Sequence, residues 1–201
     1  YSISIGMPTG IAALIVTLQP ILTNLLSGPI LGEEVTIKQW FGVLLGFVGA
    51  GLVLGLDVGS GIPLLGLIAT LIALIAITAS TIWQKKLSDN LPLPVSNFYQ
   101  AVGGCIFHIL IIIFFVEPYI EFSQTFIIAM GHQIFLVSFG AFTILMYLIK
   151  NNSASKTVSV FFLIPATSAF MAWFFLSEKL TILDILGFIV TSIGVYIATR
   201  D

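Results

Sequence analysis

Apolar residues fall along this chain in seven long runs, separated by short polar breaks. The runs cover roughly 11–31, 39–56, 62–84, 94–116, 125–149, 157–176 and 182–199. About 20 apolar residues cross the hydrocarbon core of a bilayer as a helix, so each run predicts one transmembrane span. Breaks such as G-E-E-V-T-I-K, K-K-L-S-D-N and K-N-N-S-A-S-K leave no room for an extramembrane domain. Lipid offers no partner to a free peptide group, which makes continuous helices the expectation.

A second pattern is laid over the first. Pro20, Glu33, Thr36, Ile37, Gly42 and Gly49 each meet the same residue type 145 positions later, at Pro165, Glu178, Thr181, Ile182, Gly187 and Gly194. A single offset across proline, acid and two glycines is an internal repeat. Five crossings lead from the first span to its copy in the sixth. Five is odd, so the copies face opposite ways, as in the inverted-topology repeats of secondary transporters. The predicted fold is all-α, a polytopic helix bundle with seven helices of a ten-helix, five-plus-five inverted repeat. Residues 1–57 would hold the last two helices of the first repeat and 58–201 the five helices of the second. By the same offset the first repeat would begin about 83 residues before Tyr1. With no initial methionine, the chain reads as a piece of a longer protein.

Composition agrees with the bilayer. The chain is 58% hydrophobic and only 8% charged, against about 25% charged in a soluble domain. Its basic residues set an orientation. With the 32–38 loop in the cytoplasm, Lys38, Lys85, Lys86, Lys150, Lys156 and Arg200 all face inward and only Lys179 faces out, as the positive-inside rule requires. Asp57, Glu117, Glu121 and Asp184 then fall outside. No basic tract suggests nucleic acid, and the lone Cys105 excludes an internal disulfide. All nine acidic residues sit at span ends or in loops, so this chain offers no intramembrane carboxylate to carry a proton. Glu33 and Glu178 are expected to cap the helix that follows or to pair with Lys38 or Lys179.

The repeated turns L-G-E-E-V-T-I-K-Q-W-F-G and L-S-E-K-L-T-I-L-D-I-L-G, each after a proline-bearing helix and before a glycine-rich one, resemble the EamA repeat of the drug/metabolite transporter superfamily. The resemblance implies ten helices, cytoplasmic termini and a central cavity. It implies that spans one and six line that cavity while spans two and seven form a scaffold behind. Glu34 against Lys179 and Gly32 against Ser177 are modest departures. The function so implied is transport of a small organic metabolite across a bacterial inner membrane by alternating access. An amino acid, a nucleoside-like molecule or a drug-like solute would suit the lining. A non-transporting receptor or assembly protein is the alternative. An intramembrane enzyme built on Cys105 and His108, one turn apart, is a weaker one, because no H-E-x-x-H or G-x-S-x-G motif accompanies them.

Candidate side chains follow from helical spacing. Span two carries Gly42, Gly46, Gly49 and Ala50, and span seven Gly187, Thr191, Gly194 and Ala198, small residues that let helices approach closely in lipid. Span one places Gln19, Thr23 and Ser27 on one face beside Asn24. Such a stripe turns away from lipid, toward a cavity or a neighbouring helix. Pro20 and Pro165 interrupt helix hydrogen bonding, either as static kinks or as paired hinges. Span three aligns Thr70, Ile77, Thr81 and Gln84, with Trp83 as an interfacial anchor. Span four carries a ladder of Asn97, Gln100, Gly104 and His108, within about 80° of one another. His108 would contact solute or water at mid-depth, or serve as a hydrogen-bonded packing histidine. Span five lines up His132, Phe139, Thr143 and Tyr147. Span six offers Ser168 beside Pro165, with Phe161, Phe162 and Trp173 as aromatic surface. Two histidines without further ligands make no metal site, and no cofactor is expected. The partners expected are the lipid bilayer and a small solute, with a homodimer left open.

Overall fold

The computed structural model describes residues 1–55, 61–88, 91–115, 119–177 and 181–200. Among these every regular element is helical: α1 (Thr9–Val16), α2 (Gln19–Leu31), α3 (Ile37–Leu54), α4 (Leu64–Ser88), α5 (Leu93–Phe115), α6 (Gln124–Gly131), a π-helical stretch (His132–Ala141), α7 (Phe142–Asn151), α8 (Ala154–Ser159), a 3-10 turn (Val160–Phe162), α9 (Leu163–Leu176) and α10 (Ile182–Thr199). They compose seven helical spans long and apolar enough to cross a membrane. Asp57, Glu117, Glu178 and Lys179 lie outside the described residues. The chain divides into two compact units, Tyr1–Lys85 with Asn152–Asp201, and Lys86–Asn151.

The first unit is built around α3 and α10, and both helices start on the same device. Thr36 accepts a hydrogen bond from the Gln39 amide (3.3 Å) while the Gln39 side chain accepts from the Thr36 amide (2.8 Å). At the matching position Thr181 accepts from the Asp184 amide (3.2 Å) and the Asp184 carboxylate accepts from the Thr181 amide (2.7 Å). These reciprocal bonds satisfy donors that a helix start leaves free. The two helices then pack antiparallel along their small residues. A Cβ on Gly42 would sit 2.6 Å from the Gly194 carbonyl oxygen, and one on Gly194 would sit 2.7 Å from the Gly42 carbonyl. Farther along, Gly49 and Gly187 stand in the same relation, at 2.9 and 2.7 Å. No side chain fits these distances, so glycine is what allows the backbones to touch. The contacts exchange with one another under the 145-residue offset. Val43, Ala50, Val195 and Ala198 close the seam. Phe162, fully buried, lays its ring where a Cβ on Gly46 would meet it at 2.7 Å.

Two spans that the sequence predicts as continuous are broken. Span one divides between α1 and α2 at Thr17 and Leu18, and span six passes through the 3-10 turn at 160–162. Pro20 and Pro165 therefore do not interrupt the middle of a helix. Each lies in the first turn of the new one, where a missing N–H costs little. The run at 62–84 extends to Ser88 because Lys85 and Lys86 are good helix formers that keep their charges at the interface. Span six starts at Ala154, ahead of the apolar run, since Ser153 caps it by accepting from the Lys156 amide (3.2 Å).

Within the second unit, α5 leads to α6, the π-helical stretch and α7. Lys150 on α7 donates to the Leu91 carbonyl just before α5 (3.3 Å). The π-helical stretch carries Ser138 hydrogen-bonded to the Gln133 carbonyl five residues back (3.1 Å). An i→i+5 helix takes more residues per turn than the 3.6 of an α-helix. The predicted alignment of His132 with Phe139, which assumes 3.6, is lost there.

Candidate functional site

The polar stripe of span one lies on α2 and is wholly enclosed. Gln19 and Asn24 are 2% exposed, Thr23 and Ser27 0%. Gln19 Nε2 donates to Thr81 Oγ1 on α4 (3.1 Å), and that hydroxyl donates in turn to the Ile77 carbonyl (2.9 Å). Asn24 Oδ1 accepts from the hydroxyl of Ser155 on α8. Ser27 Oγ donates to the Asn24 carbonyl (3.3 Å). The stripe is thus knitted to two neighbouring helices by direct hydrogen bonds. Two of its groups are left over: Thr23 Oγ1 and Asn24 Nδ2 are buried without a partner. Buried polar groups in native proteins are rarely unpaired, and each costs about 1–3 kcal/mol when it is.

Helix α2 ends in a turn that aims Glu33. Gly32 adopts φ 70°, its amide bonds to the Gly28 carbonyl (2.9 Å), and the Glu33 amide reaches the Ser27 carbonyl (3.3 Å). This glycine-ended closure satisfies the last free carbonyls of a helix. It presents the Glu33 carboxylate to α8, where Oε1 accepts from the Ala154 amide (2.7 Å) and Oε2 from the Ser155 amide (3.4 Å). The expectation that Glu33 caps the following helix is therefore corrected: Thr36 does that, and Glu33 serves a helix 121 residues away. A carboxylate is favoured there because a helix start carries partial positive charge.

On α4 the expected face is partly rotated. Thr70, Thr81 and Gln84 are buried, but Ile77 is 41% exposed and Thr78 takes its place, donating to the Leu74 carbonyl (2.8 Å). Thr70, Leu74, Thr78 and Ile82 follow one another at four-residue steps and are all buried, and that i, i+4 spacing is the signal that would have found Thr78. Trp83 is exposed. Ser155, Thr157 and Ser159 are buried polar residues that sequence reasoning missed: Ser155 falls in K-N-N-S-A-S-K, read as a loop, and Thr157 and Ser159 fall in the first turn of the predicted sixth span. The i, i+4 pair of Ser155 and Ser159 was the available clue; Ser159 Oγ donates to the Ser155 carbonyl (2.8 Å). Ser168 on α9 is exposed. Phe162 is core, whereas Trp173 lines an open groove of about 480 Å³ between α9 and α10 with Phe170 and Phe188.

In the second unit, Asn97 is half-buried with its Oδ1 unpaired, and Gln100 and His108 are exposed along α5. His108 Nδ1 lies 2.7 Å from the Gly104 carbonyl oxygen. A carbonyl only accepts, so Nδ1 carries a proton and Nε2 is the nitrogen left to meet a ligand. His132 and Thr143 are exposed. No group of three or more metal-ligating side chains occurs among the described residues.

Known proteins carry the same pattern. Over 93% of its length the chain is 29% identical to "Uncharacterized transporter YvbV" of Bacillus subtilis, and spans 62% of that protein. Over 98% it is 27% identical to "Probable amino-acid metabolite efflux pump" of Escherichia coli, spanning 69% of it. A solved crystal structure superposes with a TM-score of 0.79 at 17% identity, over 96% of this chain and 67% of the other, which is a likeness of fold. Seven apolar helices and bacterial transporter relatives make this a multi-pass integral membrane protein of the inner membrane. The family model described as EamA-like transporter family matches residues 2–55 and 64–200, and the chain belongs to that family.

Proposed function

We propose that the protein moves a small organic solute of the amino-acid or a similar amphiphilic class across the inner membrane by alternating access. We further propose that it does so within a ten-helix inverted repeat of which this chain supplies seven. The observation that carries the reading is the polar interior of the first unit. A membrane protein has no reason to bury Gln19, Thr23, Asn24, Ser27, Thr81 and Gln84 together unless helix association or a polar passenger needs them. Two unpaired groups in that row, Thr23 Oγ1 and Asn24 Nδ2, suit an acceptor such as a carboxylate or carbonyl. The name of the Escherichia coli relative favours the same class. Support for the inverted repeat comes from the α3–α10 contacts, which exchange under the 145-residue offset. It comes also from the direction of the first and sixth spans, since α8 begins where α2 ends.

Polar side chains on α5 and beyond, namely Asn97, Gln100, His108, His132 and Thr143, form a second set of proposed solute contacts. Ser168 belongs with the first set. Pro20 and Pro165, each just past a helix break, are the proposed hinges. The deciding experiment is flux. The full-length protein, purified and reconstituted in vesicles, is expected to move labelled amino acids or related metabolites from a panel. Absence of flux for every class of small organic solute would overturn the reading.

A further inference from the structure

We propose that Ser155 is the hub of a two-part clasp between α2 and α8 that closes one end of the solute path and must open in every transport cycle. This inference rests on the transporter reading above. The outer part of the clasp is Glu33, whose two carboxylate oxygens accept from the amides of Ala154 and Ser155 at 2.7 and 3.4 Å. The inner part is the Ser155 hydroxyl, which donates to Asn24 Oδ1. One residue of α8 is thus held from both the end and the side of α2. Charge-assisted bonds such as those of Glu33 are the stronger kind, and this one bridges spans that are far apart in sequence.

Two further features distinguish a clasp from a fixed joint. The first is that both partners are short pieces. Helix α2 is set off from α1 at Thr17 and Leu18, and α8 from α9 by the turn at 160–162. Breaks in regular helix are where a span can bend without losing its remaining ladder. The second is that the closed interface is not at rest. Thr23 Oγ1 and Asn24 Nδ2 are buried with nothing to bond, and an unmade bond in a buried place opposes the closed state. Opening would give both groups water or solute. A strong contact at the rim and unsatisfied groups behind it together make a two-state element, held closed by Glu33 and biased open from within. Among the described residues, the α3–α10 seam has neither a carboxylate bridge nor a break in either helix.

The test reads conformation directly. In the full-length protein carrying Cys105→Ser, a Ser27→Cys reporter lies between the two parts of the clasp, behind Glu33 and one turn short of Asn24. Its labelling by a membrane-impermeant maleimide, applied from the side of the 32–38 loop, is followed over time. Adding Glu33→Ala is expected to speed labelling about tenfold, and Glu33→Gln by less, since the amide keeps one acceptor oxygen but loses the charge. An unchanged rate in a Glu33→Ala protein that elutes as the parent does would overturn the clasp. If Glu33→Ala does not fold, Glu33→Gln decides by the same rate. A second arm joins Glu33→Cys to Ala154→Cys with a short cleavable thiol reagent. Flux should stop when the bridge forms and return when it is cut; flux that continues through the bridge overturns the proposal. If the parent moves no solute at all, the transport reading fails, while the labelling arm still decides whether the clasp opens.

Discussion

Two helix pairs in the first unit join by opposite means. Helices α3 and α10 meet through bare backbone at Gly42, Gly49, Gly187 and Gly194. Helices α2 and α8 meet through Asn24, Ser155 and the Glu33 carboxylate. Lipid tails are as apolar as leucine, so neither pair gains from apolar burial as it would in water; close packing and hydrogen bonds hold membrane helices together. Packing of backbone on backbone works at one distance only and has no intermediate state. A few directed hydrogen bonds can be made, broken and replaced by bonds to water. The comparison teaches that a scaffold and a moving part are distinguishable by the kind of contact, even where burial is equal.

The comparison can be broken at four points. The largest effect is expected from Gly194→Val. Its Cβ would lie 2.7 Å from the Gly42 carbonyl and closer still to the Gly46 amide, backbone atoms that cannot yield. We expect a loss of about 3 kcal/mol, seen as a collapse of thermal stability in detergent with little folded protein left. A stable variant would mean that the seam is looser than described.

Ser155→Ala comes next. It leaves Asn24 Oδ1 without its donor, a cost of about 1 kcal/mol on the scale of interhelical bonds in membranes. Folded yield should be nearly kept while flux changes several-fold. Equal falls in both would make this bond as structural as the seam. Pro165→Ala sharpens the same contrast at a break. The proline lies in the first turn of α9, so stability should move by less than about 1 kcal/mol, yet transport should slow. An unchanged rate would make Pro20 and Pro165 static kinks.

Ser177→Gly is expected to do the opposite of the others. Ser177 ends α9 at φ 56°, where its counterpart Gly32 ends α2 at φ 70°. A left-handed backbone costs a residue with a Cβ about 1 kcal/mol, and glycine recovers part of that after its own entropy loss. The expected gain is about 0.5 kcal/mol, read as a small rise in melting temperature. A fall would mean that the Ser177 side chain contributes more than the strain removes.

What the sequence made legible follows the range of each interaction. The seven spans were open to view because length and apolarity are local. The glycine faces of spans two and seven were legible from spacing and repeat. The caps at Thr36 and Thr181 were written in T-I-K-Q and T-I-L-D, a threonine followed three residues later by a side chain that can return its hydrogen bond. Glu33 itself was misplaced because its partners, Ala154 and Ser155, lie in another part of the chain and announce nothing locally. Pro20 and Pro165 signalled a bend, but not that the helix would end before each of them. Helical wheels failed at the π-helical stretch His132–Ala141, where the helix is not α, and by one residue on α4, where Thr78 rather than Ile77 faces inward. The polar stripe of α2 was found residue by residue, but its spacing cannot say whether water or a neighbouring helix lies opposite.

The α3–α10 seam has a consequence for how the protein is made. Helix α3 ends at Leu54 and α10 starts only at Ile182. At the ribosome's pace of about 5–20 residues per second, the wait between them is on the order of ten seconds. Throughout that interval the grooved face of α3 stands in the membrane without its mate, and lipid or an insertase must occupy it. A nascent chain arrested short of Ile182 should therefore cross-link to such a companion from a photoreactive group at Val43. In chains released beyond Thr199 the same cross-link should disappear.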